Sequence, residues 1–209
     1  MLSKGNGILV KEYRRSSKNK TIKESTNKAK INIENVVASA TIADKLNIKD
    51  ISNILDEAEY EPEQFPGVIY RLKEPKVAIL IFGSGKVVCT GAKNPDMARF
   101  GLELLTQQLE DAGISVIRKP EITVQNMVAT WDTGHTFDLN AIILSFGLEK
   151  VEYEPEQFPG MVFRLDDPKI VMLFFKSGKV VCTGAKSVKE LERAVDIVGK
   201  ELKAGGFLS

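Results

Sequence analysis

The side chains that most often perform catalysis or hold metal ions are sparse in this sequence. His135 is the only histidine, which excludes a multi-histidine metal site or a pair of catalytic histidines. The two cysteines, Cys89 and Cys182, lie in identical Lys-Val-Val-Cys-Thr-Gly-Ala-Lys segments. They are too few and too far apart for a metal motif or a disulfide framework. We interpret both as small buried hydrophobic residues.

Acidic pairs and a glycine-rich turn are the other candidates for chemistry. Glu110-Asp111 is expected at a helix end and Asp166-Asp167 at a turn, and neither pair has a partner base. The segment 83–86, Gly-Ser-Gly-Lys, lacks the spacing of a phosphate-binding loop and is expected in a hairpin. The sequence therefore predicts a protein that is not an enzyme and that uses no metal and no cofactor.

The clearest feature of the chain is an internal repeat. Residues 59–93 align with residues 152–186 without a gap, and 25 of these 35 positions are identical. The similarity extends upstream, where Ile33–Ala38 resembles Val124–Ala129. Two copies at this spacing predict pseudo-twofold symmetry, because a solenoid needs three or more short repeats. We expect the repeats to occupy residues 30–118 and 119–209.

The first 29 residues differ in composition from the repeats. Within residues 1–30, nine Lys/Arg and two Glu give a net charge of +7, so the remainder carries −6 of the total +1. We expect residues 1–29 to form a flexible basic arm, which either attracts phosphates nonspecifically or only keeps the protein in solution. No stretch approaches the roughly 20 apolar residues of a membrane span, and we expect an intracellular protein without a signal peptide.

Alternating apolar and polar residues predict four strands in each repeat. These strands are 31–41, 68–72, 77–82 and 86–90, and then 122–130, 161–165, 170–175 and 179–183. Turn residues at 65–67 and 83–86 are expected to join the strands of the first repeat as an antiparallel meander.

A long helix is predicted to close each repeat. Asn94 is a good N-cap with Pro95 at the first helical position, and Gly113 ends that helix. In the second repeat, Ser187 and Glu190 form a capping box. The apolar stripe of this second helix comprises Leu191, Ala194, Val195, Val198 and Leu202. Shorter helices are expected near residues 48–55 and 139–146.

Helices can cover only one face of the predicted sheet. In the strand that ends at Thr90, Val87 and Cys89 point to one face, whereas Lys86, Val88 and Thr90 point to the other. The face opposite the helices carries mainly Val, Leu, Thr, Asn and Phe, with charges at its margins. An uncovered apolar face marks a binding surface. From alternation alone, a further element or a dimer partner that covers this face is an equally good interpretation.

Several motifs resemble the TATA-box-binding protein family, and its archaeal members most. They are the duplicated Glu-Pro-Glu-Gln-Phe-Pro-Gly, the Phe shortly before Ser-Gly-Lys-Val-Val-Cys-Thr-Gly-Ala-Lys, and the paired Asn-(Val/Met)-Val-Ala. The match spans about residues 30–205. It implies an α+β fold, a pseudo-twofold saddle whose curved antiparallel sheet carries helices on its convex face.

The resemblance also implies a function. A protein of this kind is a general transcription initiation factor that binds the minor groove of the TATA box in double-stranded DNA. It kinks the DNA by phenylalanine insertion and recruits transcription factor B and RNA polymerase. Such a protein is cytoplasmic and nucleoid-associated in an archaeal cell, and nuclear in a eukaryotic one.

The resemblance assigns roles to matching positions. The phenylalanines that insert into DNA are Phe65, Phe82, Phe158 and Phe175. Contacts with bases are expected from Asn35, Asn126, Thr90, Thr183, Val37, Val88, Val128, Val181, Leu80 and Leu173. Contacts with phosphates are expected from Arg71, Arg164, Lys86, Lys179, Ser84 and Ser177. Contacts with transcription factor B are expected from Glu154, Glu156 and Gln157, although the acidic loop of the first repeat, 59–63, is equally charged.

Two other interpretations stay open at this point. One is a saddle-fold accessory domain of a nucleic-acid enzyme, such as a nuclease or a glycosylase, or another DNA-bending architectural protein. The other is a homodimer that buries the open faces of two copies against each other, either as its only role or as a storage form.

Overall fold

The computed structural model describes Tyr13 and residues 30–209. The predicted basic arm, Tyr13 excepted, lies outside the described residues. The described chain divides into two compact units, one with residues 35–125 and the other with residues 30–34 and 126–209. Each unit is an antiparallel sheet with two helices, so the predicted α+β class is confirmed.

The first unit follows the predicted meander. Its strands are β1 (Lys30–Thr41, with residues 35–41 in this unit), β2 (Gly67–Leu72), β3 (Val77–Phe82) and β4 (Lys86–Ala92), in the order β2-β3-β4-β1. Its helices are α1 (Ile48–Ile54) and α2 (Pro95–Asp111). One predicted turn is misplaced: residues 73–76 connect β2 to β3, whereas residues 65–67 lead from a loop into β2. The proline and glycine of that loop start a strand and do not join two.

The ends of α2 are where the sequence predicts them. Asn94 caps the helix, because its side chain accepts a hydrogen bond of 2.8 Å from the Met97 N–H. Pro95 occupies the first turn, where it has no N–H to leave unsatisfied. The helix ends at Asp111, and Gly113 adopts a φ of +85° that few other residues tolerate.

The second unit repeats this arrangement with one additional strand. Its strands are β5 (Thr123–Asp132), β6 (Val151–Glu152), β7 (Met161–Leu165), β8 (Ile170–Phe174) and β9 (Lys179–Ala185), in the order β5-β9-β8-β7-β6. Its helices are α3 (Leu139–Phe146) and α4 (Val188–Ala204). The two-residue strand β6 pairs with β7 and was not predicted, because two residues carry no readable alternation. At the equivalent position of the first unit there is no strand but an isolated antiparallel β-bridge between Glu59 and Ile69.

The start of α4 differs slightly from the predicted capping box. Ser187 Oγ accepts a hydrogen bond of 3.2 Å from the Glu190 N–H, as expected. The Glu190 carboxylate accepts its return bond of 2.8 Å from the N–H of Lys186, one residue before the cap. The predicted apolar stripe of α4 is entirely buried.

The core of each unit lies between the sheet and its helices. Val87 and Cys89 of β4, and Val180 and Cys182 of β9, are fully buried, as the alternation predicts. Burial raises the pKa of each cysteine thiol to about 12, because the interior disfavours the thiolate. In the part of the chain that the structure describes, no helix is long and apolar enough to cross a membrane.

Candidate nucleic-acid interface

Each sheet has one face that its helices leave uncovered. In β3, Val77, Ile79 and Ile81 are buried, whereas the alternate residues Ala78, Leu80 and Phe82 remain partly exposed. β8 repeats the pattern, with Val171 and Leu173 partly exposed. The predicted apolar base contacts all lie on this face and are half-buried: Val37, Val88, Leu80, Val128, Val181 and Leu173. We call this surface the open face of each unit.

The four predicted inserting phenylalanines form two pairs outside the core. The ring centroids of Phe65 and Phe82 lie 5.5 Å apart at an interplanar angle of 58°, and those of Phe158 and Phe175 lie 5.9 Å apart at 70°. Phe158 is 38% exposed, and the other three rings are half-buried. Each ring therefore contacts its partner and keeps part of its surface in solvent.

A glycine lies against each pair: Gly160 against both rings of the second pair, and Gly67 against Phe65 of the first. A Cβ on Gly160 would lie 2.7 Å from Cε1 of Phe158 and 3.1 Å from Cε1 of Phe175. A Cβ on Gly67 would lie 3.0 Å from Cε1 of Phe65 and 2.5 Å from a backbone oxygen. From the sequence, Gly67 is predicted only as a turn residue, and no role is predicted for Gly160. The signal that points to them is their place in a nine-residue segment that occurs twice unchanged.

The polar groups of the open face are arranged alike in the two units. The Gly91 N–H donates to Asn35 Oδ1 at 2.7 Å, and Asn35 Nδ2 donates to Thr90 Oγ1 at 3.2 Å. In the second unit, Gly184 donates to Asn126 at 2.8 Å, and Asn126 donates to Thr183 at 3.2 Å. The predicted asparagines and threonines are thus brought together in pairs.

This arrangement determines which groups can donate to a ligand. A backbone N–H can only donate, so the amide oxygen of Asn35 must face Gly91, and Nδ2 keeps a second N–H free. The Thr90 hydroxyl accepts from Nδ2 and is itself only 3.5 Å from Asn35 Oδ1, to which its proton makes a long hydrogen bond; the Thr183 hydroxyl lies 3.4 Å from Asn126 Oδ1. Gly91 and Gly184 have φ angles of +90° and +110°, so only glycine places this N–H without strain. Each unit therefore presents a free amide N–H, and a hydroxyl whose proton is held only by a long hydrogen bond, beside apolar side chains.

Each arginine that is predicted to bind phosphate forms an ion pair with a glutamate of its own unit. Arg71 Nε and Nη2 lie 3.2 and 3.3 Å from the two carboxylate oxygens of Glu59. Arg164 makes the same pair with Glu152, at 3.3 Å for both bonds. These pairs were not predicted; the signal for them is a Glu twelve residues before the Arg in both repeats. The Nη1 edge of each guanidinium takes no part in the pair and can still bind an anion.

The remaining predicted contacts lie in exposed turns and loops. Ser84 and Ser177 are exposed in the turns that precede β4 and β9, and Lys86 and Lys179 are exposed as the first residues of those strands. Glu154 and Glu156 are exposed in the loop before β7. The Gln157 side chain donates to the Glu154 carboxylate, and the Glu154 backbone oxygen accepts from the N–H groups of Gln157 and Phe158. This loop is therefore ordered by its own hydrogen bonds.

Comparison with known proteins decides the family. The family model described as "Transcription factor TFIID (or TATA-binding protein, TBP)" matches residues 30–112 and 121–204. The chain belongs to the TATA-box-binding protein family. Among its relatives, the TATA-box-binding protein of Picrophilus torridus is 54% identical over 179 residues, which are 86% of this chain and 97% of that protein. That of Archaeoglobus fulgidus is 50% identical, over 86% of this chain and 98% of the relative.

A solved structure of the same family confirms the fold. The Methanococcus jannaschii TBP has a TM-score of 0.78 and 52% identity, over 84% of this chain and 99% of that one. The predicted resemblance to archaeal TATA-box-binding proteins is therefore confirmed. This family consists of noncatalytic transcription factors, so the prediction that the chain is not an enzyme is confirmed as well. The accessory-domain interpretation is dropped on the same ground.

Proposed function

We propose that this chain is a general transcription initiation factor that binds the minor groove of A·T-rich promoter DNA through the open faces of its two repeats. We take residues 30–118 and 119–209 as those repeats. The observation that supports this most directly is the twofold occurrence of a part-exposed phenylalanine pair on a glycine, beside an Asn–Thr donor pair. A core residue would be buried, and a residue of an ordinary loop would not recur with the same partners.

The phenylalanine pairs are the proposed wedges that kink the DNA. Partly exposed rings forfeit burial energy, roughly 1.5–3 kcal/mol for a large side chain that would otherwise be fully buried. Insertion between base steps recovers that burial and offsets the unstacking, which costs on the order of a few kcal/mol per step. The TATA-box-binding proteins are themselves the standard example of this mode, so the mechanism and its magnitude are carried over from the family.

The donors of the open face account for a preference for A·T base pairs. In the minor groove an A·T pair offers only acceptors, whereas a G·C pair adds the guanine amino group, which is a donor. Asn35 and Thr90, with Asn126 and Thr183, present donors that suit the acceptors. The flat apolar side chains around them, such as Val88 and Val181, offer the guanine amino group no acceptor.

The charged residues position the protein on the backbone of the duplex. Arg71, Arg164, Lys86 and Lys179 are proposed to bind phosphates, with the hydroxyls of Ser84 and Ser177. Each neutralised phosphate releases counterions, so the logarithm of the binding constant falls by about 0.9 per tenfold increase in salt for each contact. Affinity for the duplex is therefore strongly salt-dependent, although the total charge of the protein is only +1.

The second proposed partner is transcription factor B. Glu154, Glu156 and Gln157 form an exposed acidic loop in the second repeat, and this loop is proposed to bind the factor, which in turn brings RNA polymerase to the promoter. A homodimer through the open face would cover the surface needed for DNA, so dimer and DNA complex would compete. The site of action is the chromosome, in the cytoplasm of an archaeal cell.

Three duplexes with the same flanks test the proposed mode of binding. One carries a TATA core, one carries inosine·cytosine pairs in that core, and one carries guanine·cytosine pairs. Inosine lacks the minor-groove amino group but presents the major groove of guanine. We expect similar affinity for the first two duplexes and at least about tenfold weaker binding to the third, at one fixed salt concentration. Equal affinity for all three, or loss of binding to the inosine duplex, contradicts the proposal.

A further inference from the structure

The first repeat buries an additional row of apolar side chains on α2. Five buried residues of α2, at positions 98, 101, 102, 105 and 109, are the counterparts of the apolar stripe of α4, 93 positions earlier. Phe100 and Leu104, which share a helix face because they are four residues apart, are also buried. Their counterparts in α4 are Arg193, which is exposed, and Ile197, which is half-buried. Packing of the helix on its sheet therefore does not account for the burial of this row.

A side chain of the N-terminal arm covers Phe100. The ring of Tyr13 stacks on the ring of Phe100, with the centroids 4.3 Å apart and an interplanar angle of 5°. Aromatic pairs of this kind stabilise a contact beyond the apolar area that they bury. Burial, and after it the charge of Asp96 one turn before Phe100, raises the pKa of the Tyr13 phenol. Tyr13 therefore lies on the apolar row and near an acidic residue of the same helix.

The charges of the arm and of α2 are complementary. α2 has four acidic residues and one arginine, so its net charge is −3, whereas α4 has four residues of each sign and is neutral. Tyr13 lies between Lys11 and the pair Arg14-Arg15, within a 30-residue segment of net charge +7. Opposite charges on two surfaces favour their association. The arm therefore matches α2 in charge as well as in its aromatic contact, and α4 offers neither match.

The contact lies on the side of the first unit that faces away from its open face. A Cβ on Gly101, the residue after Phe100, would lie 2.9 Å from Cγ2 of Val77 and 3.8 Å from Sγ of Cys89. These two residues belong to the buried face of the sheet, opposite the face that carries Leu80. Charges that are held beside Tyr13 are therefore held away from a duplex bound to the open face.

We propose that the N-terminal arm is an intramolecular ligand of α2, anchored by Tyr13 on Phe100, and that docking withholds its cations from DNA. The second part of this inference rests on the proposed function. The match to the family model begins at residue 30, so Tyr13 lies outside it and the contact is an addition to the shared fold. The arm then neither attracts phosphates freely nor serves only as a solubilising extension, but limits nonspecific binding to DNA.

The test compares the wild-type chain with four full-length variants. Tyr13→Ser and Phe100→Gln each remove one ring of the stack, Tyr13→Phe keeps the stack, and Tyr60→Ser removes a half-buried tyrosine elsewhere in the first unit. The first measurement is the rate of trypsin cleavage after Arg14 and Arg15, resolved by mass spectrometry. A docked segment must open before it is cut, so we expect at least about fivefold faster cleavage in Tyr13→Ser and Phe100→Gln. Phe100→Gln leaves the sequence around the cleavage sites unchanged.

The second measurement is the affinity of each protein for a mixed-sequence duplex and for a TATA duplex, over a range of salt concentrations. At low salt we expect Tyr13→Ser and Phe100→Gln to bind the mixed-sequence duplex at least about threefold more tightly than the wild type does. The salt dependence should steepen by about 0.9 for each released cation that reaches a phosphate. Neither substitution changes the net charge, so added charge cannot cause the gain. Tyr13→Phe and Tyr60→Ser should match the wild type in both measurements.

The outcomes separate this inference from the proposed function. Equal cleavage rates in all five proteins overturn the docking of the arm. Faster cleavage without tighter binding to the mixed-sequence duplex overturns the inference as well, because the docked arm is then not withheld from DNA. Failure of the proposed function gives a different result, in which the wild type binds the TATA and mixed-sequence duplexes alike. Thermal unfolding shows that each variant is folded, and Tyr13→Ser, which changes only the arm, decides the question if Phe100→Gln does not fold.

Discussion

At the level of single residues, the hydrogen-bond donors of the open face depend on the side-chain amide of Asn35, whose orientation is fixed by a backbone N–H. The Gly91 N–H donates a hydrogen bond to Asn35 Oδ1, and Asn35 Nδ2 donates one to Thr90 Oγ1. What remains for a ligand is one free N–H and one O–H that is held only by a long internal hydrogen bond, and Asn126 and Thr183 present the same two groups in the second unit. On the proposed function, the preference for A·T pairs arises from the order of these hydrogen bonds and not from any single side chain.

Replacing the two threonines tests this order without disturbing the fold. Thr90→Val/Thr183→Val keeps the shape and the strand preference but removes both hydroxyl groups, and with them the acceptors of Asn35 Nδ2 and Asn126 Nδ2. We expect weaker binding to a TATA duplex, by about three- to tenfold for each lost hydrogen bond, with a smaller preference for A·T over G·C. Fluorescence anisotropy at fixed salt measures both effects. Thr136→Val, in an exposed turn, is the matched control, and equal losses in the two variants would argue against the assigned role.

The buried cysteines give a prediction with a definite pH dependence. The pKa of each thiol is raised to about 12 in the folded protein, against about 8.5 in an unfolded chain. The folded state therefore holds these protons more tightly, so this contribution to stability is complete below about pH 8.5 and is lost as the pH rises toward 12. Urea unfolding at pH 8 and pH 10.5 should show a larger loss of stability for the wild type than for Cys89→Ala/Cys182→Ala. Parallel losses would contradict the assigned burial.

At the element scale, strand geometry places the donors. The register of β1 against β4 shifts between Val36 and Ala38, and that of β5 against β9 shifts between Met127 and Val128. Each shift lies directly after the asparagine of the open face. Such bulges bend a strand and redirect its side chains. The helices contribute differently, since they cover the opposite face and supply most of the core.

The cap of α4 tests how much one helix end stabilises the fold. Ser187→Ala removes the acceptor for the Glu190 N–H but leaves the bond between the Glu190 carboxylate and Lys186. We expect the free energy of unfolding to fall by about 1 kcal/mol, with affinity for DNA unchanged. Chemical denaturation measures the change, and Ser115→Ala, in an exposed loop, is the control. A larger effect on DNA binding than on stability would show that α4 does more than pack.

At the scale of the whole molecule, local signals predicted most of the fold. Alternation located eight of the nine strands, and Asn94 and Ser187 located the starts of both long helices. Features that depend on contacts between distant segments were not predicted, such as the pairing of Arg71 with Glu59 and the packing of two rings on Gly160. The exposure of Leu144 was also missed, because an apolar residue in an amphipathic helix is ordinarily assigned to the core.

The individual roles of the site residues rest on the family resemblance more than on periodicity. Alternation places Leu80, Val88 and Thr90 on one face, but it does not say what that face binds. The structure shows that Phe65 and Phe82 meet although 17 positions separate them, a contact that no local pattern contains. Repetition was the strongest sequence signal, because it marked the same residues twice.

The most direct test of the account is the bend of a TATA duplex that carries a fluorophore at each end. The wild-type protein should shorten the distance between the dyes, and Phe65→Ala/Phe82→Ala/Phe158→Ala/Phe175→Ala should bind weakly and leave the duplex close to straight at saturating protein. Phe207→Ala, a half-buried ring at the end of α4, is the control and should bend the DNA like the wild type. A quadruple variant that bends the duplex as strongly as the wild type would contradict the proposal that these rings kink the DNA.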